Sequence, residues 1–87
     1  MLVEIFKALA DETRITIVKL LLTGRKSVSE IVPLTGKSQP NTSIALKQLF
    51  HAGIVTKKNV GKFVYYQIND AENLRQVIKL LEENNGN

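Results

Sequence analysis

Between Gly36 and Ser38 the chain carries a helix stop and a helix start with one residue between them, and this adjacency constrains the fold more than anything else in its 87 residues. Glycine tolerates the left-handed conformation that closes a helix, and serine accepts a hydrogen bond from the first free amides of the next one. The spacing predicts two short helices joined by a tight turn. Ser27-Val28-Ser29-Glu30 has the form of a capping box and opens the first; Ala52-Gly53 closes the second. Gln39 and Pro40 fall in the first turn of the second helix, where proline's missing donor is no loss. Pro33 lies within the first and is expected to shorten or kink it. Leu46, Leu49 and Phe50 fall on one face of the second.

The flanks complete the pattern. Leu2, Val3, Ile5, Phe6 and Leu9 recur at helical spacing, and so do Ile15, Val18, Leu21 and Leu22 after a capping Asp11. Gly24 ends that second run, with Arg25 and Lys26 suited to the carbonyl end of a helix. After Gly53 the residues become β-branched and aromatic. Ile54 to Lys58 and Phe63 to Ile68 read as strands, with Asn59-Val60-Gly61-Lys62 as the turn of a hairpin. Asp70 caps a last helix bearing Leu74, Val77, Ile78 and Leu81, and residues 84–87 form a polar tail expected to fray. The fold class expected is mainly α with one β-hairpin (α+β), a single domain over residues 1–87 in the order helix, helix, helix, helix, hairpin, helix.

Composition narrows the function. With no cysteine, one histidine (His51), no glycine-rich phosphate loop and no evident nucleophile–base pair, the chain is not expected to be an enzyme. Its longest apolar runs are far too short for a membrane span or a signal-peptide core, so a cytoplasmic location is expected. The net charge of +4 is unevenly placed: residues 31–69 contain Lys37, Lys47, Lys57, Lys58 and Lys62 and no acid at all. Lysines gathered without acids suit a polyanion, since each lysine facing a phosphate releases counterions on binding.

Taken together, these segments resemble the arsenic-repressor-like (ArsR/SmtB) regulators. Phe6 to Gly24 looks like their opening helices, Ser38 to Val55 like their recognition helix and the turn into the wing, and Gly61 to Ile68 like their returning wing strand. The likeness covers about residues 3–80. It implies a winged helix-turn-helix, with the helix-turn-helix at about 27–52 and the wing at about 54–68. It also implies a homodimer held by helices at about 2–10 and 70–84, which binds double-stranded DNA at a pseudopalindromic operator and represses transcription. The departures are specific. Ser27 and Ser29 stand where the family's arsenic-type site has cysteines. The last helix offers Asp70, Glu72, Glu82 and Glu83 without the histidine of the family's other metal site. Neither a metal nor a cofactor is therefore expected, and the inducer is not specified.

The residues expected at DNA are Ser38, holding a phosphate at the helix N-terminus, and Gln39, Asn41, Thr42 and Ser43, short polar groups in the helix's first turns that suit base edges. Lys47 reaches backbone phosphate, and Lys58 and Lys62 bracket the wing tip. Ile44 and Ala45 replace the basic residues that relatives often carry there. Whether Thr42 and Ile44 face DNA or core is left open. Arg14 is expected to pair with an acid or touch phosphate, and Tyr65 and Tyr66 to point to opposite faces of their strand. Leu2, Ile5, Phe6, Leu74, Val77, Ile78 and Leu81 are expected at the dimer interface, the alternative being that the last helix folds back on its own core. A winged-helix module for protein or RNA binding, without operator specificity, is the competing function.

Overall fold

Every helix start that the sequence signals is made by the side chain placed there. In the computed structural model, which describes the backbone of residues 2–85 and the side chains of residues 3–83, Asp11 accepts a bond from the Arg14 amide at 2.9 Å. Asp70 does the same for Asn73 at 3.2 Å, and Ser38 for Asn41 at 3.2 Å. Ser27 accepts from the Glu30 amide at 3.2 Å, while the Glu30 carboxylate accepts from the Ser27 amide at 2.8 Å, closing the capping box. These caps begin α2 (Glu12–Leu21), α3 (Val28–Thr35), α4 (Gln39–His51) and α5 (Ala71–Asn85), following α1 (Leu2–Leu9). Gly36 closes α3 at φ +71°, a conformation that a side chain disfavours. Pro33 removes one bond of the α3 ladder, yet the helix runs on to Thr35, because only its last turn lies beyond the proline.

The sheet has three antiparallel strands in the order β1-β3-β2, not the two of the expected hairpin. β2 (Val55–Val60) and β3 (Phe63–Ile68) pair from Val55 with Ile68 to Val60 with Phe63, so the loop is Gly61-Lys62 alone. The added strand, β1 (Lys26–Ser27), sets Lys26 opposite Tyr66 and Ser27 opposite Tyr65. Nothing in a Lys-Ser pair signals a strand. It becomes one because the chain leaving α2 passes the open edge of β3, where its amides and carbonyls find partners. Lys26 therefore belongs to the sheet and bonds Thr23 Oγ1 at 2.9 Å, while the end of α2 is served by Arg75, which donates to the Leu22 carbonyl at 3.0 Å.

The core lies between α2, α3, α4 and the sheet, with Ile17, Val18, Ile31, Leu46 and Leu49 wholly buried. On α2 the inward stripe is Ile17, Val18 and Leu21, and Ile15 is only half-buried. Truncating a side chain of this kind to alanine costs about 2–5 kcal/mol. Tyr66 is buried and Tyr65 half-buried, the opposed orientations expected of strand neighbours; burial pushes the Tyr66 hydroxyl above its ordinary pKa. Leu74, Val77 and Ile78 are 6%, 7% and 5% exposed within one protomer. These three, expected at the dimer interface, instead complete the chain's own core, since α5 lies back along it. Among the described residues no helix is long and apolar enough to cross a membrane.

Candidate nucleic-acid interface

Helix α4 divides into an inner and an outer face. Thr42, Ala45, Leu46 and Leu49 are buried. At 100° per residue the positions opposite them are Pro40, Ile44, Lys47 and His51, all exposed. Gln39 and Ser43 flank this outer stripe on one side, and Asn41 and Gln48 on the other. Ser38 stays exposed at the cap.

Thr42 leaves the set of expected DNA contacts. It is 0% exposed, with its hydroxyl 3.3 Å from that of Thr35. Thr35 donates to the Val32 carbonyl and accepts from the Lys37 amide at 3.1 Å, so the Thr42 hydroxyl is the donor in the pair. The bond ties α4 to the last residue of α3. Ile44 takes the opposite place, 56% exposed at the centre of the outer stripe. Ala45, 4% exposed, lies against the core.

Gln39 and Ser43 line a cleft whose other walls are Ser29, Val32 and Pro33 of α3 and Lys62, Phe63 and Val64 of the wing. The Lys62 ammonium lies 5.7 Å from the Phe63 ring centre. Lys58 is elsewhere, in a hollow with Arg25, Thr56, Tyr65 and Gln67, where the Arg25 guanidinium sits 4.9 Å over the Tyr65 ring. The two wing lysines thus line different hollows, and Arg25, which the sequence suggested for the end of α2, joins the second. Lys57 also lines this second hollow, while its ammonium sits 4.8 Å over Phe50. Lys37 and Lys47 are exposed.

Arg14 bonds to carbonyls and an amide where an acid or a phosphate was expected. Its Nε donates to the Ala8 carbonyl at 2.6 Å, Nη2 to the Lys7 carbonyl at 3.2 Å and Nη1 to Gln48 Oε1 at 2.6 Å. The guanidinium satisfies the carbonyl end of α1 and anchors it to α4, so the Gln48 side chain is engaged within the protomer.

Metal ligation of the arsenic type does not fit these residues. The Ser27 and Ser29 oxygens lie 3.0 Å apart, but they are neutral alcohols, and Ser27 is 3% exposed and engaged in its capping box. Soft metals require thiolate there. The Ser27 amide and hydroxyl instead hold the Glu30 carboxyl below the usual carboxylate range, aided by Lys26. On α5, Glu82 is paired with Lys19 at 2.5 Å.

The terminal helices present a different surface. Ile5, Phe6 and Leu81 are half-buried, Val3 is 58% and Leu80 55% exposed, and the expected Leu2 side chain lies outside the described residues. Val3 and Leu80 are the most exposed large apolar side chains of the two terminal helices among the described residues.

The family model described as "Bacterial regulatory protein, arsR family" matches residues 11–57, from the cap of α2 to the third residue of β2. The chain belongs to the arsR family. An HTH-type transcriptional regulator of Methanocaldococcus jannaschii is 41% identical over 81 residues, 92% of this chain and 90% of that protein. The arsenical resistance operon repressor of Bacillus subtilis is 37% identical over 68 residues, 77% of this chain and 65% of that protein. The chain spans nearly the whole archaeal relative but only about half to two thirds of the bacterial ones. Among solved structures, HlyU of Vibrio cholerae superposes with a TM-score of 0.81 at 31% identity, covering 93% of this chain and 87% of that one. A homodimeric winged helix-turn-helix DNA-binding domain from Mycobacterium bovis gives 0.83 at 27% identity, covering 94% and 78%. This arsR-family chain is thus a winged helix-turn-helix transcriptional regulator and not an enzyme.

Proposed function

We propose that the chain acts in the cytoplasm as a homodimeric repressor, docking two copies of α4 in successive major grooves of a pseudopalindromic operator. Residues 1–87 work as one domain, with 27–52 as the helix-turn-helix, 54–68 as the wing and the terminal helices joining the protomers. The observation that carries this reading is the outer face of α4. It exposes Gln39, Asn41, Ser43 and Lys47 beside a wing bearing Lys62 and Lys58, within a segment that has no acidic side chain. Ser38 and the free amides of the α4 N-terminus favour a phosphate. Gln39, Asn41 and Ser43 offer hydrogen bonds to base edges, and the lysines supply sequence-independent attraction. The Mycobacterium bovis domain is homodimeric, which supports two copies of this chain, and so two recognition helices, acting on one operator. The signal that releases DNA is not a soft metal at positions 27 and 29.

Selection from a random duplex library tests this. Inverted half-sites centred about one helical turn, ~10 base pairs, apart are expected. Gln39→Ala or Asn41→Ala should relax the preference at one position per half-site, by about 1–3 kcal/mol for a bidentate contact. A library that enriches no sequence, or capture of RNA in preference to duplex DNA, contradicts the reading.

A further inference from the structure

The middle of the outer face of α4 is held by an aliphatic side chain. Ile44, 56% exposed, lies one turn beyond exposed Pro40 and just before exposed Lys47, while the inner face is already closed by Thr42, Ala45, Leu46 and Leu49. The protomer's core therefore makes no use of Ile44, and the polar groups around it have the donors and acceptors that it lacks. An isoleucine at the midpoint of a helix lying in the major groove can distinguish bases in one way. It cannot read a hydrogen-bonding edge, but it gains by covering the 5-methyl group that thymine carries there and that cytosine, adenine and guanine do not. Its χ1 is nearly fixed in a helix, so the methyl groups of the side chain are held in place at little entropic cost.

We propose that Ile44 is a specificity residue that reads a thymine methyl in each half-site, with Pro40 extending the same apolar strip toward the N-terminus of the helix. This rests on the duplex-DNA reading above and deepens it. Asn41 and Ser43 then read bases on either side of that thymine, and the operator carries an A·T pair at a fixed place in both halves. Ile44 contributes discrimination, not steering: it carries no charge, so the salt dependence of binding belongs to the lysines.

The test uses the full chain and duplexes of about 30 base pairs enriched by the selection described above. Each thymine is replaced singly by deoxyuridine, which removes the methyl and leaves every hydrogen-bonding group in place. Removal of one buried methyl corresponds to about fourfold in affinity. The wild type should bind about that much more weakly at one position per half-site. Ile44→Ala, a change on an exposed surface that leaves the core intact, should bind thymine and deoxyuridine duplexes alike. Equal wild-type affinity for all the duplexes overturns the methyl contact while leaving the DNA reading standing. So does an undiminished deoxyuridine penalty in Ile44→Ala. Failure to bind any duplex overturns the DNA reading and the methyl contact together.

Discussion

Arg14 illustrates how much a single side chain can hold. Three of its nitrogens meet oxygens on α1 and α4, joining a terminal helix to the helix that carries the candidate DNA face. Arg14→Ala should destabilise the protein by about 1–3 kcal/mol in urea titration, the cost of leaving helix-end carbonyls without their charged donor. An unchanged midpoint would contradict that role. Glu30 gives a pH signature. Its carboxyl is held below the ordinary range by the Ser27 amide and hydroxyl, so its contribution is present above the unfolded glutamate pKa and is lost as pH falls through the lower folded value. Glu30→Gln should lower Tm at neutral pH and flatten the acid limb below about pH 4.5, the two curves converging in acid. Thr42 marks where residue-level reading reached its limit. Its type suits a base edge as well as a buried hydroxyl pair, and only its position on α4, inward beside Thr35, decides between them.

At the scale of elements, the helices were legible because their ends are written in side chains: Asp11, Ser27, Ser38 and Asp70 each cap where the sequence places them. The wing was legible from its change of period and from Gly61. β1 was not, since a two-residue strand owes its existence to the neighbouring edge of β3 and to nothing in its own composition. The same holds for Arg25, whose place over Tyr65 follows from that pairing. Lys58 and Lys62, one in the Arg25 hollow and the other in the α4 cleft, should act independently. Alanine at either should weaken binding to all duplexes alike and lower the slope of log K against log salt by about 0.9 for each phosphate no longer neutralised. A change in sequence preference instead would place that lysine at a base edge.

At the scale of the molecule, α5 serves two surfaces. Leu74, Val77 and Ile78 close the protomer's own core, while Leu80, and Val3 on α1, stay exposed. Spacing revealed the apolar stripe of α5 but not which side of it the protomer already uses, because that depends on where α1 and α2 lie. Leu80→Glu should therefore shift sedimentation toward monomer with the helical circular dichroism retained. Val77→Asp should unfold the chain by burying a charge without a partner. Monomeric wild type would remove the terminal helices from the interface. Above all, this regulator should grip duplex DNA with α4 and its wing. The decisive measurement is fluorescence anisotropy of a labelled duplex of about 30 base pairs, random in sequence, titrated across a salt series beside duplex RNA of equal length. Binding to DNA that weakens steeply with salt, and that RNA does not reproduce, is expected. No binding at low salt, or equal binding to RNA, would contradict it.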